Sequence, residues 1–410
     1  MNDMPPSKRL AFIDLLRGWA VIVMIETHVV NATIAPEAAQ GSLFQVLMFL
    51  NGMVAPSFLF ASGMAYAVTT RRKLASYLSL GAPLFRQLWR LVFILLLAYT
   101  LHLPKFNLGQ MLGEISEEQW LLFFQADVLH CIAVSLLFLQ VILLVVRTER
   151  RLYLGAGITA LLTLFVTPWM WGVDWLEAIP APIAAYLNGL HFSLFPLFPW
   201  SVFLLAGAIA GYMFSALRER TASVSAGEKS DLDKGRPATG QTTAAADRSG
   251  RFPVKRFAWA GGALIAISFA LIPLGWLYPT YDYWRYSPSF VLLRLGIVVL
   301  LCSGLMVYEE RRGVSARSWI TLVGRESLLV YATHLLLIYG NFGSFNFRRW
   351  ANHTFGLEEA FGWTFILLGL MFALALFWDW VRRQDPRWKK GIQWAVLAAA
   401  AGVFVWGPGS

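Results

Sequence analysis

Stretches of about 20 apolar residues recur along nearly the whole chain, and no other feature constrains its fold more strongly. One such stretch is long enough for a helix to cross a hydrocarbon core of about 30 Å. Only 14% of the 410 residues are charged, whereas soluble domains carry about 25%. The sequence therefore predicts an all-α, polytopic helical membrane protein. The eleven expected spans cover residues 11–32, 43–69, 84–103, 120–146, 152–171, 196–216, 255–276, 288–308, 317–340, 359–381 and 391–407.

The positive charges assign a side of the membrane to the ends of these spans. With the N-terminus in the cytoplasm, all but five of the 34 Lys and Arg residues fall on the inner side. The five outer residues are Lys105, Arg285, Arg294, Arg348 and Arg349. Because this distribution follows the positive-inside rule, the net charge of +10 indicates orientation rather than a nucleic-acid partner. We expect a multi-pass protein of a bacterial inner membrane, in contact with membrane lipid.

Residues 218–252 break the apolar pattern. They are rich in Ser, Thr, Ala, Gly and charged residues, and such a composition cannot support a hydrophobic core. We therefore predict a disordered cytoplasmic linker that divides one membrane domain into a six-helix part, 1–217, and a five-helix part, 253–410. The sequence contains no visible internal repeat, which disfavours transporters built from inverted repeats.

The six histidines all fall toward the outer side of this topology. His28 ends the first span, His130 lies in the outer third of the fourth, and His334 lies in the outer half of the ninth. The other three are expected at solvated helix ends or in loops: His102, His191 and His353. Histidine is the usual proton-transfer residue near neutral pH, whereas arginine, which crowds the inner side, suits phosphates.

Five motifs occur in a fixed order along the chain. They are RLAFIDLLRGWAVIVMIETH (9–28), APSFLFASGMA (55–65), DVLHCIAVSLL (127–137), FPLFPWSVFLLAGAIAG (195–211) and GRESLLVYATHLLL (324–337). The ordered set resembles the transmembrane acyltransferases related to heparan-alpha-glucosaminide N-acetyltransferase, and eleven spans match the fold of that family. The resemblance implies that acyl-CoA, most simply acetyl-CoA, is bound from the cytoplasm. Its acyl group would then pass to an amine or hydroxyl of a sugar or glycan on the far side, without a metal.

The sequence departs from the family at one position. In the lysosomal enzyme the catalytic histidine lies in the loop after the first helix, but the corresponding loop here, 29–41, contains no histidine. His28 instead resembles the histidine at the end of the first helix in bacterial relatives and in the acyltransferase-three family. The catalytic role is therefore expected at His28.

The chemistry of acyl transfer is consistent with that expectation. The acceptor must lose a proton as it attacks the thioester, and an imidazole with a pKa near 6.5 suits this base role. The alternative for His28 is a helix-end residue that caps the last carbonyls. Glu26 is also predicted to be functional. Two residues apart on a helix correspond to about 200° of rotation, so Glu26 cannot face His28. It either has a partner on another helix, with His334 and His130 as candidates, or is protonated.

Two further groups of residues are candidates for catalysis or substrate binding. Asp127 and His130, at positions i and i+3, form a rival catalytic dyad, unless they only satisfy each other as a buried pair. Contact with the substrate is predicted for His334, His191, Tyr283 and Trp284. The two aromatic residues belong to the outer segment 277–289, for which an interfacial aromatic belt is the alternative.

Arginines at the inner ends of the first three spans are candidates for binding the phosphates of coenzyme A. The predicted set is Arg17, Arg71, Arg72, Arg86 and Arg90. The alternatives are an ion pair with Asp14 for the first of these and positive-inside anchoring for the other four.

A different class of protein is also consistent with ionisable residues inside the membrane. A proton-coupled transporter or flippase of a sugar-linked substrate would use Glu26, Asp127 and the histidines as a proton relay. Consumption of a thioester by the purified protein would separate an enzyme from such a carrier. The sequence leaves open the acceptor, N- versus O-acylation, the acyl chain length and a homodimer.

Overall fold

The computed structural model describes residues 10–113, 115–233, 242–314, 318–340, 346–384 and 386–406. Across these ranges the chain is helical, and the only β-type pairing is an isolated bridge between Ile34 and Phe355. The predicted all-α membrane class is confirmed. The two cysteines, Cys131 and Cys302, are fully buried.

Long helices form the body of the structure. They are α1 (Ala11–Thr33), α3 (Val54–Leu78), α4 (Ala82–Leu101), α7 (Val128–Val146), α8 (Glu149–Trp171), α10 (Leu197–Asp233), α11 (Thr242–Leu271), α13 (Pro288–Arg312), α17 (Leu357–Arg383) and α18 (Pro386–Trp406). Shorter helices join or extend them. These are α2 (Ser42–Asn51), α5 (Leu108–Met111), α6 (Glu117–Phe124), α9 (Ala181–Ala184), α12 (Tyr283–Tyr286), α14 (Trp319–Arg325), α15 (Ser327–Tyr339) and α16 (Phe347–Ala351).

Eight helical segments in the described ranges are long and apolar enough to cross a membrane. The number rises to nine if α14 and α15, which meet at a bend of 82°, form one span. Neither α1 nor α18 is among the eight. The count of eleven spans and the cytoplasmic N-terminus therefore stay predictions.

Three of the expected spans are divided between separate α-helices. The first is 43–69, which is interrupted at Gly52 and Met53 between α2 and α3. The segment 120–146 was predicted as one helix, but α6 ends at Phe124 and α7 begins only at Val128. The reason is Asp127, whose side chain accepts hydrogen bonds from backbone N–H groups of the first turn of α7 and so starts a new helix. The segment 317–340 is likewise broken, at Glu326.

The structure describes two parts of the predicted linker. Helix α10 extends into its first half and α11 covers its second half, so the described parts are helical where disorder was expected. Residues 234–241, in the middle of the linker, lie outside the described residues. The division of the membrane domain at this segment stays a prediction.

Helix α1 occupies a central position in the bundle. It contacts α3, α13, α14, α15 and α17, and most of its residues are buried, including Asp14 and Glu26. Large apolar side chains on peripheral helices remain exposed, for example Leu96, Leu161 and Phe365, as expected for surfaces that face lipid. The central position of α1 places both ends of the helix among other helices rather than in lipid.

The close approach of α3 and α10 depends on two glycines. A Cβ atom at Gly63 would lie 2.0 Å from the carbonyl oxygen of Leu204, and one at Gly207 would lie 2.1 Å from that of Phe60. Small residues let membrane helices approach backbone to backbone, where dispersion contacts drive their association. Neither backbone oxygen can move aside without separating the two helices.

We expect Gly207→Ala to destabilise the protein, because the added methyl group overlaps the backbone of α3. Overpacking of this kind lowers the free energy of unfolding by about 1–3 kcal/mol. Gly304→Ala is the matched control, since nothing lies within 4 Å of a Cβ at Gly304 on α13. Thermal unfolding of the detergent-purified protein measures both variants, and equal melting temperatures would contradict the proposed packing.

Candidate active site

Two histidines contact one buried carboxylate, and two further histidines lie beside them. His28 lies near the end of α1, His102 directly follows α4, and His334 lies in α15. Asp127 and His130 begin α7. The cluster lies at the end of the bundle where α1 and α4 end and α7 begins, and we refer to these five residues as the histidine cluster.

The carboxylate of Asp127 accepts five hydrogen bonds. Its Oδ1 accepts from the backbone N–H groups of Leu129 (2.8 Å) and His130 (3.1 Å) and from Nδ1 of His130 (2.9 Å). Its Oδ2 accepts from Nε2 of His102 (3.2 Å) and from the hydroxyl of Tyr331 (3.2 Å). Asp127 is only 3% exposed, so these donors replace the water that would otherwise solvate the carboxylate. The side chain therefore joins the start of α7 to α4 and α15.

Hydrogen bonds assign the protons of the two imidazoles that contact Asp127. Nδ1 of His102 lies 2.8 Å from the amide nitrogen of Gln125, which can only donate, so the ring proton of His102 is on Nε2 and points at Asp127. Nδ1 of His130 lies 2.9 Å from Oδ1 of Asp127 and 3.3 Å from the backbone nitrogen of the same residue. The shorter contact, to an ionised acceptor, assigns the ring proton of His130 to Nδ1. Its Nε2 is then an unprotonated acceptor, fully buried and without a partner.

The other two histidines of the cluster face each other. The ring centroids of His28 and His334 are 5.2 Å apart, and that of His334 is 5.8 Å from the ring of Tyr331. Nδ1 of His334 donates to the carbonyl of Val330 (2.8 Å), which leaves its buried Nε2 as an unpartnered acceptor. Ring contacts thus lead from His28 through His334 and Tyr331 to the carboxylate of Asp127.

His28 differs from the other cluster histidines of the membrane helices in being half-buried rather than fully buried. The hydroxyl of Tyr339 donates to the backbone carbonyl of His28 (3.3 Å) and lies 3.4 Å from Nδ1 of the same residue. Since a hydroxyl that donates to the carbonyl accepts from the ring, this arrangement places the proton of His28 on Nδ1. Nε2 of His28 is then free to accept a proton from a bound molecule.

The segment before α7 is held by the loop between α9 and α10. The backbone N–H of Ala126 donates to Oγ of Ser193 (3.0 Å), and the carbonyl of Ala126 accepts from the N–H groups of Leu194 (3.1 Å) and Phe195 (2.9 Å). These bonds satisfy backbone groups that the break between α6 and α7 leaves without helical partners. The loop therefore fixes the position of Asp127, the next residue.

Glu26 is separate from the histidine cluster. With the amide of Asn51 turned so that its nitrogen faces the surrounding acceptors, that nitrogen donates to Oε2 of Glu26 (2.7 Å). The prediction that Glu26 pairs with His334 or His130 is wrong, because Glu26 faces Asn51 at the end of α2, whereas His28 faces α15. Oε1 of Glu26 is buried without a partner.

The remaining candidates for substrate contact lie in segments that connect the long helices. His191 bonds Asp174 through Nε2 (2.8 Å), and this hydrogen bond lowers the pKa of Asp174 below its ordinary value. Tyr283 and Trp284 pack against each other and against Phe290 at the start of α13. None of these residues contacts the histidine cluster within the described ranges.

The arginines proposed to bind coenzyme A differ in how they are engaged. Arg71 is held by two carboxylates, Glu149 (3.3 Å) and Glu219 (2.5 Å). Arg17 is half-buried on α1. The exposed members of the set are Arg72, Arg86 and Arg90. These three side chains flank the turn between α3 and α4 and are accessible to a ligand in solution.

Sequence reasoning missed several residues of the site. His102 was assigned to a solvated helix end, although it bonds Asp127, and Tyr331, Tyr339 and Asn51 were not singled out. A signal existed for Tyr331, which precedes His334 by three residues on the same helix and therefore shares its face. No comparable signal identifies His102, because only tertiary packing brings it to Asp127.

Three residues of the histidine cluster offer ligand atoms for a metal ion. Ligand atoms of His102, Asp127 and His130 all lie within 4.8 Å of one another. However, a carboxylate has about four lone-pair positions, and five donors already converge on Asp127. The geometry fits a hydrogen-bonded network better than a metal centre, and the expectation that no metal is needed stays a prediction.

Comparison with known proteins adds independent information about this site. Residues 9–245, more than half of the chain, match the family model described as heparan-alpha-glucosaminide N-acetyltransferase, catalytic. A search of curated proteins returns no match. The matched segment contains His28, His102, Asp127 and His130, whereas His334 lies beyond it.

We expect Asp127→Asn to destabilise the protein by about 3 kcal/mol, because it replaces a buried, fully hydrogen-bonded carboxylate by an amide that clashes with some of the donors. Asp174→Asn is the matched control, since Asp174 also caps a helical turn and bonds a histidine but is half-exposed. We expect a much smaller change for the control in thermal unfolding of the purified protein. Similar changes for both variants would contradict the structural role assigned to Asp127.

Proposed function

The chain belongs to the heparan-alpha-glucosaminide N-acetyltransferase family, and we propose that it transfers an acetyl group from acetyl-CoA to an amine or hydroxyl of a sugar. Membership makes it a membrane acetyltransferase in general. The proposed donor, sugar acceptor, direction across the membrane and catalytic residues go beyond what membership shows. They rest on the geometry of the histidine cluster.

The observation that carries the proposal is the half-buried imidazole of His28 at the edge of a buried polar network. A general base must reach the proton that it removes, and His28 is half-buried, whereas His130 and His334 are fully buried. His102 is also half-buried, but Gln125 and Asp127 engage both of its ring nitrogens. We assign His28 as the base. The acceptor's N–H or O–H proton passes to Nε2 of His28 while the acceptor attacks the thioester carbonyl.

The remaining steps balance without another reactant. The tetrahedral intermediate collapses, the C–S bond breaks, and the leaving thiolate of coenzyme A takes the proton from the imidazolium of His28. During the reaction His28 carries a positive charge, and the carboxylate of Asp127, reached through His334 and Tyr331, stabilises that charge. In this proposal Asp127 and His130 are positioning residues, and His334 braces the base.

The donor is proposed to bind from the end of the bundle that bears the arginines. Arg72, Arg86 and Arg90 are exposed and can pair with the phosphates of coenzyme A, whereas Arg71 is engaged by two carboxylates. Arg17 is half-buried on the same helix as His28, eleven residues before it. At about 1.5 Å of rise per residue the two side chains lie about 16 Å apart along α1, a span that an extended pantetheine arm can bridge.

A proton-coupled carrier of a sugar-linked substrate remains the second candidate function, since the histidine cluster resembles a proton relay. Family membership favours the enzyme. Release of free coenzyme A by the purified protein, in the presence of acetyl-CoA and an amino sugar, is expected of the enzyme but not of the carrier.

We expect His28→Ala to lower kcat by about 10²–10⁴-fold, the usual contribution of a general base. Acetyl-CoA binding should stay nearly unchanged, because the phosphate contacts lie at the other end of α1. The measurement is thiol release by the detergent-purified protein, with ligand-induced thermal stabilisation as the binding readout. His353→Asn serves as a control, since His353 is exposed and its positive φ of 54° suits Asn.

The same assay distinguishes His28 from its rival. If His28→Ala turns over at a near-normal rate while His130→Ala is inactive but folded, the base is the Asp127–His130 pair and the assignment is wrong.

A further inference from the structure

Within the described residues, Arg294 is a cation of the helical bundle without an anionic partner. It lies six residues after the start of α13, about 9 Å along the helix axis at 1.5 Å of rise per residue. Its Nε is buried and has no hydrogen-bond partner. Among the residues that the structure describes, no hydrogen bond or ion pair to Arg294 is formed. An ionisable residue in this position indicates a function unless a partner accounts for it.

Aromatic rings cover the faces of this guanidinium group. Its Cζ lies 3.9 Å from the ring centroid of Phe290 and 5.6 Å from that of Trp200. Such cation–π contacts stabilise the charge through the flat faces of the group. The N–H donors, however, lie in its plane, so stacking leaves the planar fork that binds oxyanions in a bidentate manner unoccupied.

A glycine lies close to the same group. A Cβ atom at Gly52 would lie 3.2 Å from Nη2 of Arg294, and Gly52 forms the break between α2 and α3. The absence of a side chain there lets the guanidinium approach the break. The amide nitrogen of the neighbouring residue, Asn51, donates to Glu26.

Arg285 provides an internal comparison. Its guanidinium also stacks on an aromatic ring, that of Trp171, at 4.8 Å from the centroid. In contrast to Arg294, its Nη2 donates to the carbonyl of Gly189 (3.1 Å). Stacking on aromatic residues is therefore compatible with a protein acceptor in this chain, and Arg294 differs in lacking one.

Contacts connect Arg294 to the histidine cluster. The ring of Trp200 packs against that of Phe195 (4.8 Å), and the N–H of Phe195 donates to the carbonyl of Ala126, which precedes Asp127. On its other side, Phe290 packs against Tyr283 and Trp284. Packing through Trp200 and Phe195 therefore couples Arg294 to the segment that positions Asp127, and aromatic side chains, which stack on sugar rings, lie on both sides of it.

We propose that Arg294 binds an oxyanion, a phosphate, sulfate or carboxylate group, carried by the acceptor of the acetyl group. The sugar nature of that acceptor rests on the proposed function, but the oxyanion site itself does not. A phosphate in a lipid headgroup has the same chemistry, so the test separates the two sources.

The test compares glucosamine with glucosamine 6-phosphate as probes of the full-length protein in nanodiscs of phosphatidylcholine. Thermal stabilisation as a function of probe concentration gives the affinity of each. The phosphorylated sugar should bind the wild-type protein at least about tenfold more tightly, because only it engages the planar fork. Arg294→Gln should abolish the difference, whereas Arg285→Gln, the matched control, should retain it.

A second arm replaces part of the phosphatidylcholine by anionic phosphatidylglycerol. If the anionic lipid stabilises the wild-type protein but not Arg294→Gln, and the phosphorylated sugar shows no advantage, the oxyanion site stands and its ligand is a lipid headgroup. If neither probe distinguishes the wild-type protein from Arg294→Gln, the proposal is overturned and stacking alone holds the arginine.

The test also covers a variant that does not fold and a protein that binds the sugar without acetylating it. If Arg294→Gln does not fold, equal affinities of the wild-type protein for both sugars, together with no response to the anionic lipid, still overturn the proposal. The readout is binding, so it does not depend on turnover. Charge-selective binding without acetyl transfer would contradict the proposed function and leave the oxyanion site in place.

Discussion

The arrangement of the candidate active site depends on the carboxylate of Asp127, on which five hydrogen-bond donors converge. Two of the donors are backbone N–H groups of the first turn of α7, and a third is the imidazole of His130 in the same turn. The other two are His102, directly after α4, and Tyr331 of α15. Because the group is buried, each donor would lose its partner if the carboxylate were absent, and no water could replace it. The same bonds set the ring orientations of His102 and His130. A single residue therefore links helix packing to the chemistry of the site.

The membrane explains why this interaction occurs at a helix break. In a hydrocarbon environment every backbone polar group must be satisfied within the protein, so an irregular segment is tolerated only where other groups enclose it. Around the break, the N–H of Ala126 donates to Ser193, and its carbonyl accepts from the N–H groups of Leu194 and Phe195. The side chain of Asp127 caps the first turn of α7. The break in turn allows a carboxylate to point into the bundle rather than along a helix face. The helix break at residues 125–127 therefore determines both the backbone hydrogen bonds of this segment and the position of the Asp127 carboxylate.

The sequence predicted the helical membrane class, the family and the bounds of several helices well, because apolar length and ordered motifs are local properties. The predicted span 11–32 matches α1 (Ala11–Thr33) closely. The prediction of one continuous helix over 120–146 failed at residues 125–127, because a single capping aspartate within an apolar run barely changes the hydropathy pattern. Helical rotation correctly separated Glu26 from His28 but could not identify Asn51, and only the packing of α4 on α7 brings His102 to Asp127. Such contacts between distant residues leave no trace in a single sequence.

Acetyl transfer across a sealed vesicle tests most directly whether the acetyl group passes through the bundle to the histidine cluster. The purified protein is inserted in one orientation, with labelled acetyl-CoA on the side of the arginines between α3 and α4 and glucosamine on the other side. We expect labelled N-acetylglucosamine in the compartment that held the sugar, and none when the two substrates are exchanged. Product formed only when both substrates share one compartment, or no transfer in any arrangement, would contradict this mechanism.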